Sequence, residues 1–183
     1  MYYAINKTTL EYFSGINPND YNLNDWVVTD DVSEIQTIPH EYWKVSDDII
    51  VEMNQAEKDI VDADNLSNLK LARYNEIDIK TGELISLGFE FPSASGNIFS
   101  FSTNAQSNLL GTFTAKDLLP YPFPWNTKDD ELTYQIVDST EMANFFMTAL
   151  GTKKARQDSG SALKSQIRDA VNKAAVDAVI DNR

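Results

Sequence analysis

The segment Glu41 to Ala63, EYWKVSDDIIVEMNQAEKDIVDA, holds two periodicities that meet at one boundary, and no other feature constrains the fold as tightly. Strand-type residues Tyr42, Trp43 and Val45, then Ile49, Ile50, Val51 and Met53, flank the polar cluster Ser46-Asp47-Asp48, which predicts a hairpin. Asn54 followed by Glu57 has the spacing of a capping box. In that motif the Asn side chain takes an orphan backbone N–H of the first helical turn, and the Glu reaches back to the N–H of the cap. A helix is therefore expected from Gln55. The expected class is α+β: a small N-terminal antiparallel β module, a linking helix and a C-terminal domain of mixed hairpins and helices.

Upstream, Tyr2 to Ile5 and Thr9 to Phe13 are short aromatic and β-branched runs around Asn6-Lys7-Thr8, which predicts a hairpin with a three-residue connection. The stretch Gly15 to Asn24 reads as a loop, Trp26-Val27-Val28 as a third strand, and the polar run Thr29 to His40 as a surface connection. Residues 1–53 are thus expected to form a small antiparallel β module with Tyr3, Phe13, Trp26 and Trp43 in its core. The linking helix, within residues 54–75, has a thin stripe: Ala56, Ile60, Ala63, Leu66, Leu69 and Leu71. Such a helix gains little alone and should pack on another element or on copies of itself, although its heptad pattern is imperfect after Ala63.

Residues 76–183 read as a C-terminal domain of mixed hairpins and helices. Glu76 to Lys80 and Glu83 to Leu87 alternate around Thr81-Gly82, which predicts another hairpin. Phe89, Phe91, Ile98, Phe99 and Phe101 continue in strand style. Thr103 with Gln106 predicts a capped helix from Asn104 to Leu110, stopped by Gly111. Three prolines between Leu119 and Trp125 exclude regular helix or central strand and suggest an extended aromatic loop, followed by a strand from Leu132 to Val137. Asp138 and Glu141 form a third capping pair opening a helix through Met142, Phe145, Phe146, Ala149 and Leu150. After a break at Gly151 to Gly160, Ser161 to Asp181 predicts an amphipathic helix with Leu163, Ile167, Ala170, Val171, Ala174, Ala178 and Val179 on one face.

The formal net charge of -13 argues against a nucleic-acid partner, because phosphate contacts need clustered Lys and Arg. Charge is uneven: 14 acidic against 5 basic residues up to position 75, and 14 against 10 thereafter. With no cysteine, disulfide frameworks, thiolate zinc sites and cysteine nucleophiles are excluded. The opening MYYAINKTTL lacks a basic start and an apolar run, and no stretch nears the roughly 20 apolar residues of a membrane span. A soluble product, not exported by the usual route and with no membrane insertion, is expected.

His40 is the only histidine and has no G-x-S-x-G motif to serve, so a solvated or locally hydrogen-bonded ring is the expectation. Asp129-Asp130-Glu131 lacks further spaced ligands, and Asp62, Asp64 and Asn65 lack the glycine and distal Glu of a calcium loop. Solvated acidic faces are expected at both, with no metal and no cofactor. Carboxylate pairs among 28 acidic residues are too numerous to mark a glycosidase, and the chain is read as not an enzyme. The candidate interface residues are Tyr121, Phe123 and Trp125, large rings on a stiff proline-rich backbone, together with Ile60, Ala63 and Leu66 on the linking helix.

The run YWKVSDDIIVEMNQAEKDIVDA resembles a segment that recurs in tail-fibre and other virion proteins of tailed bacteriophages, where a W-K-V hairpin leads into an M-x-Q-x-E-K-D helix. Residues 73–183, with RYNEIDIKTGELISLGFEF, FSFSTNAQ, YPFPWNTKDDELTYQI and SGSALKSQIRDA, are similar to a small domain at the C-terminal end of many phage tail-associated proteins. The resemblance implies a structural subunit of the virion tail: a fibre, fibre-attachment or baseplate-peripheral protein acting in assembly and host adhesion. It supplies no catalytic residues. The implied partners are copies of the chain, with a trimer expected, other tail proteins, and a host surface receptor. A capsid-associated decoration protein and an acidic DNA-mimic inhibitor of a host protein are the alternative expectations.

Overall fold

Three short strands open the chain: β1 (Tyr3–Asn6), β2 (Tyr12–Ser14) and β3 (Trp26–Thr29), antiparallel in the order β2-β1-β3. The computed structural model describes residues 1–183, which divide into two compact units, Met1–Asn68 and Leu69–Arg183. The class is α+β. No helix is long and apolar enough to cross a membrane.

In the first unit the β1–β2 connection is longer than the three residues expected. The Asn6 side chain accepts from the backbone N–H of both Thr8 and Thr9, and Leu10 takes a φ of 56° before β2 begins. That local bonding draws the chain into a wider turn. Ile5 pairs with Val27, and these two point into the core, while Ala4 pairs with Phe13 and Asn6 with Trp26 on the other face. Phe13 is consequently not a core residue: it is 47% exposed, with Trp26 and then Tyr21 packed beside it.

The core of this unit is Ile5, Val32, Ile35 and Trp43, with Tyr3, Leu10, Ile38 and Ile50 around it. Val32 and Ile35 lie in the stretch expected to be a polar surface connection. Successive tight turns, with Ile35 N donating to Val32 O and Ile38 N to Ile35 O, bring every third residue to one side, so Val32, Ile35 and Ile38 share an inward edge. A spacing of three in twelve mostly polar residues is easily missed by counting polarity.

The hairpin of β4 (Trp43–Ser46) and β5 (Ile49–Glu52) turns through Asp47 and Asp48, both at positive φ as a two-residue hairpin loop requires. The cap that follows is reciprocal. Glu57 N donates to Asn54 Oδ1 at 3.1 Å, and Asn54 N donates to Glu57 Oε2 at 2.8 Å. It opens α1 (Gln55–Ser86), which runs from the first unit into the second.

The length of α1 overturns the hairpin expected around Thr81-Gly82: both of its arms are helical. A two-residue hairpin loop needs positive φ at its first position, and Thr, branched at Cβ, resists that conformation. The partly or fully buried residues Arg73, Ile77, Thr81, Leu84 and Ile85 follow helical spacing, and Ile77 and Thr81 lie against Gly160 of α3 (Ser139–Asp169). Lys70 Nζ donates to Arg168 O, Asp78 pairs with Lys164, and Arg156 Nη1 donates to Gly88 O at 2.7 Å, so α1 and α3 run antiparallel along the second unit. The end of α1 is closed by Lys128 Nζ on Ser86 O and by Arg156 on Gly88 O and Ile85 O, cations placed where the helix dipole is negative. Burial holds the Arg156 guanidinium below its usual value.

α3 also departs from expectation, being unbroken from Ser139 to Asp169 with no interruption between Gly151 and Gly160. Met142, Phe145, Ala149, Gly160 and Ile167 form one buried edge that the two glycines do not disturb. Gly160 is buried because α1 approaches there; an added Cβ would stand 2.5 Å from Thr81 Oγ1 and 3.0 Å from the Arg183 guanidinium. The expected long helix from Ser161 stops at Asp169. Ala170 is extended, Val171 is 81% exposed, and Asn172 caps the short α4 (Lys173–Asp177).

Two hairpins and α2 (Thr103–Thr114) complete the second unit. One hairpin joins β6 (Phe89–Glu90) to β7 (Ile98–Phe99), the other β8 (Phe123–Asn126) to β9 (Thr133–Ile136). Phe145 is at the centre of the core, its ring 4.8 to 5.3 Å from those of Phe89, Phe91, Phe99 and Trp125. Ser102 caps α2 where Thr103 was expected to, and the helix passes through Gly111, where it was expected to stop. The segment Phe123–Asn126, expected as loop, is a strand with a single partner. Pro124 therefore sits in an edge strand, where its missing N–H does no harm.

Candidate functional site

A concavity of the second unit lies between α2 and the β8–β9 hairpin. Its volume is about 820 Å³, and it is open to solvent. One wall is the α2 row Ala105, Ser107, Asn108, Gly111 and Thr112; the other is Phe123 to Lys128 with Asp130. Local chemistry explains both walls. α2 buries Leu109 against the core, which turns its small and polar residues outward. Strand alternation in β8 turns Phe123 and Trp125 toward the core cluster and leaves Pro124 and Asn126 exposed.

The rings of Phe123 and Trp125 are 6.3 Å apart, and Trp125 rests on Phe145 at 5.3 Å. Both are half-buried: supported by the core, they also border the groove. Tyr121 shares this support, and its hydroxyl donates to Lys116 O at 2.7 Å. Burial raises the Tyr121 pKa.

The polar residues of the groove divide into engaged and free. Asn126 Oδ1 accepts from Thr133 Oγ1 at 2.8 Å while its amide donates to Asp130, and Lys128 Nζ is held by Ser86 O. Side-chain hydrogen bonds around α2 are made by Ser102, Gln106 and Thr114, which leaves Ser107, Asn108 and Thr112 without a protein partner. The groove thus offers free hydroxyl and amide groups beside two aromatic edges, with one cation and one anion that are already engaged.

Of the candidate interface residues, Phe123 and Trp125 come together here, and Tyr121 packs on the same core. Ile60, Ala63 and Leu66 belong to the other unit, where Ile60 is 63% exposed, Ala63 is exposed and Leu66 is half-buried. Ser107, Asn108 and Thr112 went unnoticed in the sequence. The signal was available as polar and small residues on the side of α2 away from Leu109.

The other candidates have local structural roles. His40 Nε2 hydrogen-bonds Leu10 O at 2.6 Å, and its ring packs 4.7 Å from Trp43. Asp62 accepts from the Tyr42 hydroxyl at 2.6 Å, an interaction that raises the tyrosine pKa. Asp129 braces the β8–β9 turn: it accepts from Thr127 Oγ1 at 2.6 Å and from Glu131 N, bonds that hold its carboxyl below the usual range, Thr127 foremost. No family model, curated protein or solved structure matches the chain.

Proposed function

We propose that this chain is a structural subunit of a tailed-bacteriophage virion, in a fibre, fibre-attachment or baseplate-peripheral position, and that it works through surface contacts in assembly and host adhesion. The observation that carries the reading is the Tyr42–Ala63 run. Its likeness to segments of virion proteins rests on a W-K-V hairpin leading into an M-x-Q-x-E-K-D helix, and in this chain Trp43–Val45 lie in a hairpin and Gln55–Asp59 open a helix. The likeness of residues 73–183 to a terminal domain of tail-associated proteins is one of sequence, and it carries less weight because the T-G hairpin it includes is helical here.

Ile60 and Leu71 are exposed apolar residues of α1 that contact between copies would cover. Self-association through α1 is part of the proposal, but the helix itself argues for a limited seam. Ile60 and Leu71 share an outward line with Asp64 and Asp78, and the later half of α1 already packs on α3.

Mass spectrometry of purified particles, with copy number measured against tail-tube and capsid proteins, tests the reading. Presence at a low, tail-like stoichiometry is expected; absence from the particle overturns it. Sedimentation equilibrium tests self-association separately, and a 20.6 kDa monomer at high concentration would refute the trimer.

A further inference from the structure

We propose that the groove between α2 and the β8–β9 hairpin binds a neutral saccharide. The inference deepens the adhesive reading and rests on it for the biological role, while its chemistry comes from the groove alone. Three observations converge. First, the rings of Phe123 and Trp125 are fixed from behind by the core, Trp125 by Phe145 at 5.3 Å, so they border the groove at no further cost in side-chain order. A pyranose presents a face of C–H groups that packs on such rings by dispersion and desolvation.

Second, Ser107, Asn108 and Thr112 bring donors and acceptors that no protein group satisfies, along the wall facing those rings. A ligand edged with hydroxyls, each both donor and acceptor, matches hydroxyl and amide side chains of this kind. Third, the charges decide against an ionic ligand. Lys128 and Asp130 are the only charged residues of the lining, they are opposite in sign, and both are engaged by Ser86 O and Asn126. The net charge of -13 further repels anionic sugars and nucleic acids. A volume of about 820 Å³ admits a short oligosaccharide, within the ~300–1,000 Å³ usual for small-molecule sites.

The test is an array of immobilised neutral oligosaccharides (hexose, deoxyhexose and N-acetylhexosamine types) with acidic and phosphorylated sugars alongside, probed with the full chain. Hits are then titrated by calorimetry. Retention of at least one neutral type is expected, with little change in affinity on raising salt. Asn108→Ala and Thr112→Ala remove side chains with no internal partner, so circular dichroism should be unchanged while affinity falls about tenfold. Trp125→Phe keeps an aromatic ring on Phe145 and should weaken binding several-fold. Three outcomes overturn the inference: no neutral sugar retained, equal retention by all three variants, or salt-sensitive binding of acidic sugars only. Presence in particles without sugar retention would sink this inference and spare the virion reading; sugar retention by a chain absent from particles would do the reverse.

Discussion

Gly151 and Gly160 lie on the same helix, and replacing each by alanine should move stability in opposite directions. Gly151 is exposed within α3, and an added Cβ would meet nothing within 4 Å. Gly151→Ala therefore keeps only the propensity gain, about 0.8–1.0 kcal/mol in a helix interior. For a chain of this size that is a rise in Tm of about 2–4 °C. Gly160→Ala has the same intrinsic gain, but its Cβ would stand 2.5 Å from Thr81 Oγ1, 3.0 Å from Arg183 Nη1 and 3.6 Å from Ile77 Cγ2. The guanidinium would have to leave a slot in which it donates to Thr81 Oγ1 at 3.0 Å and to Ser159 Oγ at 3.1 Å. Overpacking of this kind costs about 1–3 kcal/mol, so the net effect is a loss of up to about 2 kcal/mol. Urea unfolding followed by far-ultraviolet circular dichroism, with the slope checked for constancy, gives both values. A midpoint lowered by Gly151→Ala would refute a continuous α3, and equal gains from both substitutions would refute the close approach of α1 and α3 at Gly160.

Gly88→Ala should destabilise by more than about 2 kcal/mol. Gly88 has a φ of +90°, and its Cβ would lie 2.2 Å from Phe99 O, a backbone atom that cannot move without breaking the β6–β7 pairing; an unchanged urea midpoint would contradict this. Phe145→Ala empties the centre of the aromatic core and should cost about 3–5 kcal/mol, measured as near-ultraviolet dichroism lost at lower urea. Burial, followed by the hydrogen bond to Glu141, pushes the Tyr134 hydroxyl up to about 12. Its folded-state pKa exceeds the unfolded value near 10, so this contribution is complete below pH 10 and is lost as pH rises toward 12. Urea midpoints between pH 9 and pH 11.5 should fall more steeply for the natural chain than for Tyr134→Phe, and parallel curves would count against the assignment.

Elements set by neighbours in the chain were legible beforehand. The Asn54–Glu57 cap formed as its spacing required, because both partners belong to the same turn. Asp138 and Glu141 kept part of that logic: Glu141 N donates to Asp138 Oδ1, while the Glu141 carboxylate bonds Val137 N and the Tyr134 hydroxyl. The misreadings came where a local signal is compatible with two periods. Isoleucines at positions 77, 79 and 85 fit strand alternation, yet Ile77 is buried on a helical face and Ile79 is 66% exposed. Glycine was over-read as a hairpin turn at position 82, a stop at 111 and a break at 151; in each case the helix continues through it. Of the candidate groove, the aromatic wall was visible in the Phe123–Trp125 alternation. The α2 wall was not, because free polar side chains acquire meaning only when something faces them.

Local order alone determined the α+β composition, the hairpin-to-helix junction at Asn54, the helix starts near positions 103 and 139, and the acidic surface charge. Each depends on bonds or charges within a few residues, so no distant partner enters. Tertiary packing alone decided that α1 and α3 are long and continuous, that Val32 and Ile35 rather than Phe13 fill the first core, and that Asn108 stands across a groove from Trp125. Those outcomes turn on which face of an element meets another, and burying that face outweighs the fraction of a kilocalorie by which single residues prefer one backbone conformation.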